Sequence, residues 1–325
     1  MTGLKNNRII KYLKDNNIIV ILILIVIAAV LTASPKFTKA TNLFNLSASI
    51  GTYGILAIGL GFVFLVGGID LSVGYQVGFC GTVMALLTTS IGVWPAIVIT
   101  LICGALIGYL NGTIVTRLKI PSLIGTLAVM TTLKGFVLLL NDNTGGHSIS
   151  SAKIFGVGPS TFYSTKIFGF LAPSVLVAVV LLVFFAFFLR YTRSGSNLYV
   201  VGGNPEAGAL SGINNNALIR FSYVICGLCA SLCAVFSVSR LDTSVYNLGD
   251  NLDITAICAL VIGGVKMQGG KGNMGMVIMG VAVIQIINNV MTKLGLQSAT
   301  QALVTGVVVV LVLIIDRFTA EKAKA

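Results

Sequence analysis

Ionisable side chains are scarce in this chain, so their positions limit the chemistry it can perform. Among 325 residues there are 9 acids, 1 histidine and 6 cysteines. The most suggestive acid is Asp70, in Gly67-Gly-Ile-Asp-Leu-Ser-Val-Gly74, a stretch that joins two apolar blocks without an ordinary loop. Glycines let a helix break there, and broken backbone at membrane depth is tolerated only where protein or a wet cavity surrounds it. Gly68, Asp70 and Ser72 are therefore candidate pathway residues, the last two as oxygen acceptors and as a cap for the following helix. The competing reading is a plain helix cap at the membrane surface. Gly263-Gly-Val-Lys-Met-Gln-Gly-Gly270 matches the first stretch at its glycine pair, at Ile69 or Val265, and at Gly74 or Gly270. Such similarity is found in transporters built from repeated halves. Cys226, Cys229 and Cys233 fall at helical spacing. With His147 the only histidine and no acid nearby, they read as small-residue packing and not as metal ligands. No paired carboxylates, histidine cluster or nucleophile set occurs, so we expect no catalytic residue, no metal site and no cofactor in the chain itself.

The elements that must position these residues are set by composition. Hydrophobic residues make up 56% of the chain and charged residues 9%, far from the roughly 25% charged residues of a soluble domain. Long uncharged blocks such as 18–33, 94–116, 174–189 and 302–315 approach the roughly 20 residues that cross a bilayer as a helix. They lack the alternation of barrel strands. The expected fold is an all-α integral membrane protein, one polytopic domain over 1–325 with broken or re-entrant helices. Punctuation by Gly, Pro and charge gives about ten spans, near 18–33, 47–66, 73–90, 94–116, 121–140, 172–189, 218–238, 253–265, 273–293 and 300–315. The N-terminal order of basic residues followed by an apolar stretch resembles a signal peptide, with 31–34 a weak cleavage candidate, and we read it as a retained first span.

The net charge of +12 does not mark a nucleic-acid partner, because the basic residues cluster at the ends of apolar blocks. With ten spans and the N-terminus inside, 14 basic residues face the cytoplasm and 6 face out, as the positive-inside rule requires. Both termini, 1–17 and 316–325, are then cytoplasmic, as is the loop 190–217. Within that loop Asn204 caps, Pro205 opens and Glu206 complements a short helix that Gly212 ends after about two turns. A rigidly flanked helix of this kind suits force transfer to a partner. The outer connection from Asn141 to Leu171, with His147, is long enough for a receptor or gate contact.

The Gly67–Gly74 stretch, Gly195 to Ile213, Leu252-Asp253, Val261-Ile-Gly-Gly264 and Gly269-Gly-Lys-Gly272 resemble, in order and spacing, the permease subunits of bacterial ribose, galactose and related sugar ABC importers. Asn42-Leu-Phe-Asn45 and Asn288-Asn289 extend the match. The resemblance implies a chain of the bacterial cytoplasmic membrane that pairs with a second permease copy, sits on ABC ATPase subunits holding ATP and Mg, and receives sugar from a periplasmic or lipoprotein sugar-binding protein. It implies that Gly203, Asn204, Pro205, Glu206, Ala207 and Gly212 form a coupling helix, and it adds Asn45, Lys134 and Asp253 to the pathway candidates. The chain carries no Gly-x-x-x-x-Gly-Lys-Ser/Thr loop, so ATP hydrolysis is expected on the partner. Asn251, where relatives commonly carry an acid, and Ile254-Thr-Ala-Ile-Cys258, where they carry an Ala-rich run, are departures that bear on substrate choice. A nucleoside, a furanone-type signal or a branched-chain amino acid on the same architecture, and an ion-coupled secondary transporter, are the alternatives.

Overall fold

A computed structural model describes residues 37–141, 146–154, 157–168, 171–297, 299–301, 303–307 and 310. The expected first span, 18–33, and half of the tenth lie outside them; of the latter, 300–301, 303–307 and 310 are helical. The helices are α1 (Ala40–Leu65), α2 (Val73–Ile91), α3 (Val93–Thr116), α4 (Ser122–Leu140), α5 (Pro159–Ser164), α6 (Pro173–Tyr191), α7 (Arg193–Gly203), α8 (Pro205–Leu210), α9 (Asn215–Leu241), α10 (Leu252–Ile262) and α11 (Met274–Lys293). Two short strands, β1 (His147–Ser148) and β2 (Thr243–Ser244), pair antiparallel with His147 opposite Ser244. They pin the long connection after α4 to the end of α9.

Among the described residues six helices, α1, α3, α4, α6, α9 and α11, are long and apolar enough to cross a membrane. The expected span at 73–90 is present as α2, but Tyr75, Gln76 and three threonines leave it outside those six. The expected span at 253–265 is present as a shorter helix. α10 has 11 residues, about 16 Å of helix, roughly half of the hydrocarbon thickness. Leu252 at its start lines the same crevice as Tyr53 and Gln285, so α10 begins inside the bundle and runs toward the end that carries α7 and α8.

Burial separates a core from a lipid-facing shell. Of the most apolar window of α1, 83% is buried, against 28% in α3 and α4 and 22% in α6. Leu106, Leu139 and Val183 on those outer helices are more than 60% exposed, as expected where lipid tails are the solvent. Bilayer offers no hydrophobic drive between helices, so close packing must hold them. On α3, Gly104, Gly108 and Gly112 form one stripe against α9. A methyl at Gly108 would lie 2.8 Å from the Tyr223 carbonyl carbon, and one at Gly112 would lie 2.8 Å from Arg220 Cα. Cys226, Cys229 and Cys233 are buried on α9, where Cys229 Cβ is 2.5 Å from a methyl built at Gly59 of α1. They are packing residues, and no metal-holding group exists among the described residues.

Candidate functional site

Between α1 and α2 the chain breaks at Gly67, whose φ of +75° suits glycine. Asp70 follows, fully buried. Its Oδ1 accepts from the Ser72 backbone N–H at 2.9 Å and from Ser72 Oγ at 2.6 Å. Gln76 Nε2 donates to Oδ2 at 3.3 Å, and Asn111 Nδ2 lies 3.3 Å from Oδ2 and 3.4 Å from Oδ1. Ser72 Oγ in turn accepts from Gln76 at 2.7 Å and Asn111 at 2.8 Å. The backbone of the break is held as well: Ile69 N–H donates to Ser122 Oγ at 3.2 Å and Leu71 N–H to Thr126 Oγ1 at 3.1 Å. The Tyr223 hydroxyl donates to the Ile69 carbonyl at 3.2 Å. No cationic side chain is among the groups acting on Asp70. The carboxylate thus ties α2 to α3, and the backbone on either side of it ties α4 and α9 to the same break. Gly68 is part of the fit, since a methyl there would lie 2.8 Å from Tyr223 Oη.

The second break, after α10, does not copy the first. Gly67 is left-handed, whereas its sequence counterpart Gly263 has φ −64° and Gly264 takes the positive φ of +81°. Gly74 lies within α2 while Gly270 has φ +72°. The two breaks nevertheless meet. Gly270 N–H donates to the Leu65 carbonyl at 3.0 Å, and a methyl on Gly269 would lie 2.8 Å from Gly67 N. Gly202 of α7 closes the junction, with both the Leu65 carbonyl oxygen and Gly270 N inside the reach of a methyl. Three backbones therefore touch with no side chain between them. Tyr199 locks α7 to the same loop by donating to the Gly272 carbonyl at 3.0 Å, and burial pushes its phenol above the ordinary range.

Beyond the junction, Asn204 caps α8 by accepting from Ala207 N–H at 3.0 Å, with Pro205 next and Glu206 in the first turn. α8 stops at Leu210 after about two turns, and Gly212 follows Ser211 at φ +75°. Glu206 is exposed and Leu210 is 90% exposed. Asn215 Nδ2 donates to the Pro205 carbonyl at 2.7 Å, fixing α8 against the start of α9.

At the opposite end of the bundle a cavity of about 360 Å³ opens among α1, α9, α10 and α11. Asn45 lies on it, whereas Gly68, Asp70, Ser72, Lys134 and Asp253 do not. Lys134 is exposed with Nζ 5.3 Å from the centre of the Tyr75 ring; the Tyr75 hydroxyl donates to Asp250. Asp253, half-buried in the first turn of α10, has its backbone N 3.1 Å from a methyl built at Gly74. Asn251 precedes it at φ 60°, a left-handed conformation that asparagine accepts more readily than most residues. Sequence reading missed Gln76, Asn111, Tyr223 and Gln285. The available signal for three of them was an amide side chain inside an otherwise apolar helix.

Residues 42–313 match the family described as branched-chain amino acid transport system / permease component. The chain is 34% identical over 295 residues to the ribose import permease protein RbsC of Escherichia coli (strain K12), covering 89% of this chain and 90% of that protein. It is 33% identical over 291 residues to the protein of the same description from Bacillus subtilis (strain 168), with 87% of each covered. Against the galactose/methyl galactoside import permease protein MglC of Escherichia coli (strain K12) it is 30% identical over 344 residues, with both chains covered in full. No solved structure matches.

Proposed function

The chain belongs to the family of transport-system permease components, and from that premise we propose that it is the membrane subunit of an ATP-binding-cassette importer for a monosaccharide of the ribose or galactose class. It is a transport subunit and not an enzyme; ATP and Mg belong to a separate ATPase chain. We place about ten spans in the bacterial cytoplasmic membrane, with both termini, α7 and α8 on the cytoplasmic side, a second copy of the chain as pathway partner, and an external sugar-binding protein that delivers the solute.

The observation that carries the reading is the continuity from α8 to the helix breaks. α8 is capped, exposed and too short to have a core of its own, so it is suited to docking in a groove of another protein through Glu206 and Leu210. α7 behind it meets Leu65 and Gly270 backbone to backbone. A push on α8 therefore reaches the end of α1 and the loop after α10 without passing through a rotatable side chain. Secondary transporters instead keep ionisable groups in the path for ion coupling. Here Asp70 is sealed among donors.

The direct check is reconstitution in proteoliposomes with the cognate ATPase and binding protein. Labelled ribose or galactose accumulates only with ATP and all three components present. Uphill uptake by this chain alone on an ion gradient would overturn the proposal.

A further inference from the structure

We propose that the cavity among α1, α9, α10 and α11 is a resting subsite for one neutral sugar in each copy of the chain. This rests on the importer reading and adds a place and a chemistry to it. The cavity reaches from Asn42 to Tyr53 along α1, about 16 Å of helix rise. At about 360 Å³ it lies within the roughly 300–1,000 Å³ of small-molecule sites.

Most of its lining is amide and hydroxyl, with two leucines and two cations besides. Each amide offers an acceptor and two donors, the complement of a ring whose hydroxyls both donate and accept. One wall is preset, because Asn42 and Asn289 exchange hydrogen bonds at 2.9 and 3.0 Å and are thereby taken out of play. Gln285 differs. It is only 7% exposed, it lines the cavity floor beside Tyr53, and its side chain makes no hydrogen bond among the described residues. That amide opens onto the cavity, so a ligand there can take up both its donors and its acceptor. Asn45 and Asn288 are likewise on the lining without side-chain bonds among the described residues.

Among the described residues no carboxylate lines the cavity, so an ammonium group would be buried there unpaired. Of the two cations on the lining, Arg240 is turned onto Ser49 Oγ at 3.4 Å and the Tyr163 ring at 5.9 Å, and Lys293 ends α11 at the mouth. Below Gln285 the space narrows to about 10 Å³ between Leu56, Leu252, Ala256, Ala259, Val281 and Ile284. That volume admits at most one water. A sugar entering from the mouth therefore halts at Gln285 and Tyr53.

The test is saturation binding of tritiated ribose and galactose to the full chain in nanodiscs, alongside ATP-dependent uptake by the reconstituted importer. We expect the chain to bind a neutral sugar, and Gln285→Leu and Asn288→Ala each to weaken binding roughly three- to tenfold, as for one lost neutral hydrogen bond. The transport KM should rise in step. Circular dichroism melts report whether either variant merely unfolds, and Asn45→Ala at the exposed mouth supplies a third reading less exposed to that risk. Importer activity without sugar binding to the wild-type chain, or wild-type binding and KM in the folded variants, overturns the subsite while leaving the importer reading intact. Displacement of the sugar at lower concentration by the corresponding aldonate overturns the neutral class. Failure of the complete importer to take up any sugar overturns the importer reading itself.

Discussion

Replacing Gly202 by alanine tests the backbone junction directly. The added methyl would lie 2.7 Å from Gly270 N and closer still to the Leu65 carbonyl oxygen. Ordinary contact begins near 3.4 Å, so the Gly270 contact alone asks α7 to withdraw by about 0.7 Å and the Leu65 oxygen asks for more, and neither neighbour is a side chain that can rotate away. Overpacking of this kind costs about 1–3 kcal/mol. The 3.0 Å bond from Gly270 N–H to Leu65 lies at the point of intrusion, and its loss adds about 1 kcal/mol. The expected penalty is therefore roughly 2–4 kcal/mol. Gly203 is the internal control, because a methyl there meets only Gly270 Cα at 3.8 Å. Alanine at Gly203 should leave stability unchanged or raise it by about 0.4–1 kcal/mol through the unfolded chain. Denaturant titration in nanodiscs measures both, and sugar imported per ATP hydrolysed in the complete importer measures coupling. Gly202→Ala should lower the midpoint and reduce that ratio severalfold, with basal ATPase retained. A Gly202→Ala protein that matches wild type in both midpoint and ratio would refute the junction as the route of force.

Three further changes probe separate parts. Asp70→Asn keeps one oxygen for the Ser72 donors and turns an amide N–H₂ toward the Gln76 and Asn111 amides that donated to the other; each unpaired buried donor costs about 1–3 kcal/mol, so the variant should melt below wild type, and an unchanged melt would dismiss the tie. Asn204→Ala removes the cap on Ala207 N–H and should cost about 0.5–2 kcal/mol locally, read as faster amide exchange confined to 205–211. Charge reversal at exposed Glu206 should leave the membrane fold intact yet abolish ATPase docking; unchanged transport would remove α8 from the interface.

How much was legible follows from the range of each interaction. The start of α8 was, because Asn204, Pro205 and Glu206 act on the same turn. The half-length of α10 was not, since 252–262 is as apolar as a spanning segment and only contact with Tyr53 and Gln285 reveals where it begins. Nor were the partners of Asp70, which come from α3 and from further along α2, or the gathering of amides from α1 and α11 into one cavity wall, because helix phase is readable while mutual rotation is not.

Glycine sharpens the point. All 37 look alike by composition. Their spacing divides them. Gly104, Gly108 and Gly112 recur every fourth residue and face a neighbouring helix side-on, the pattern of a crossing. Gly67-Gly68, Gly202-Gly203 and Gly269-Gly270 are adjacent pairs, one member of which faces away from any single helix stripe. All three pairs sit where the ends of α1 and α7 and the loop after α10 converge. A doublet at a helix end leaves bare backbone on two sides at once, which a lone packing glycine does not need. Gly145-Gly146 and Gly263-Gly264 are adjacent pairs too, so adjacency narrows the search for the joint and contact completes it; it is at Gly202, and not along the α3 stripe, that a single methyl should separate ATP hydrolysis from transport.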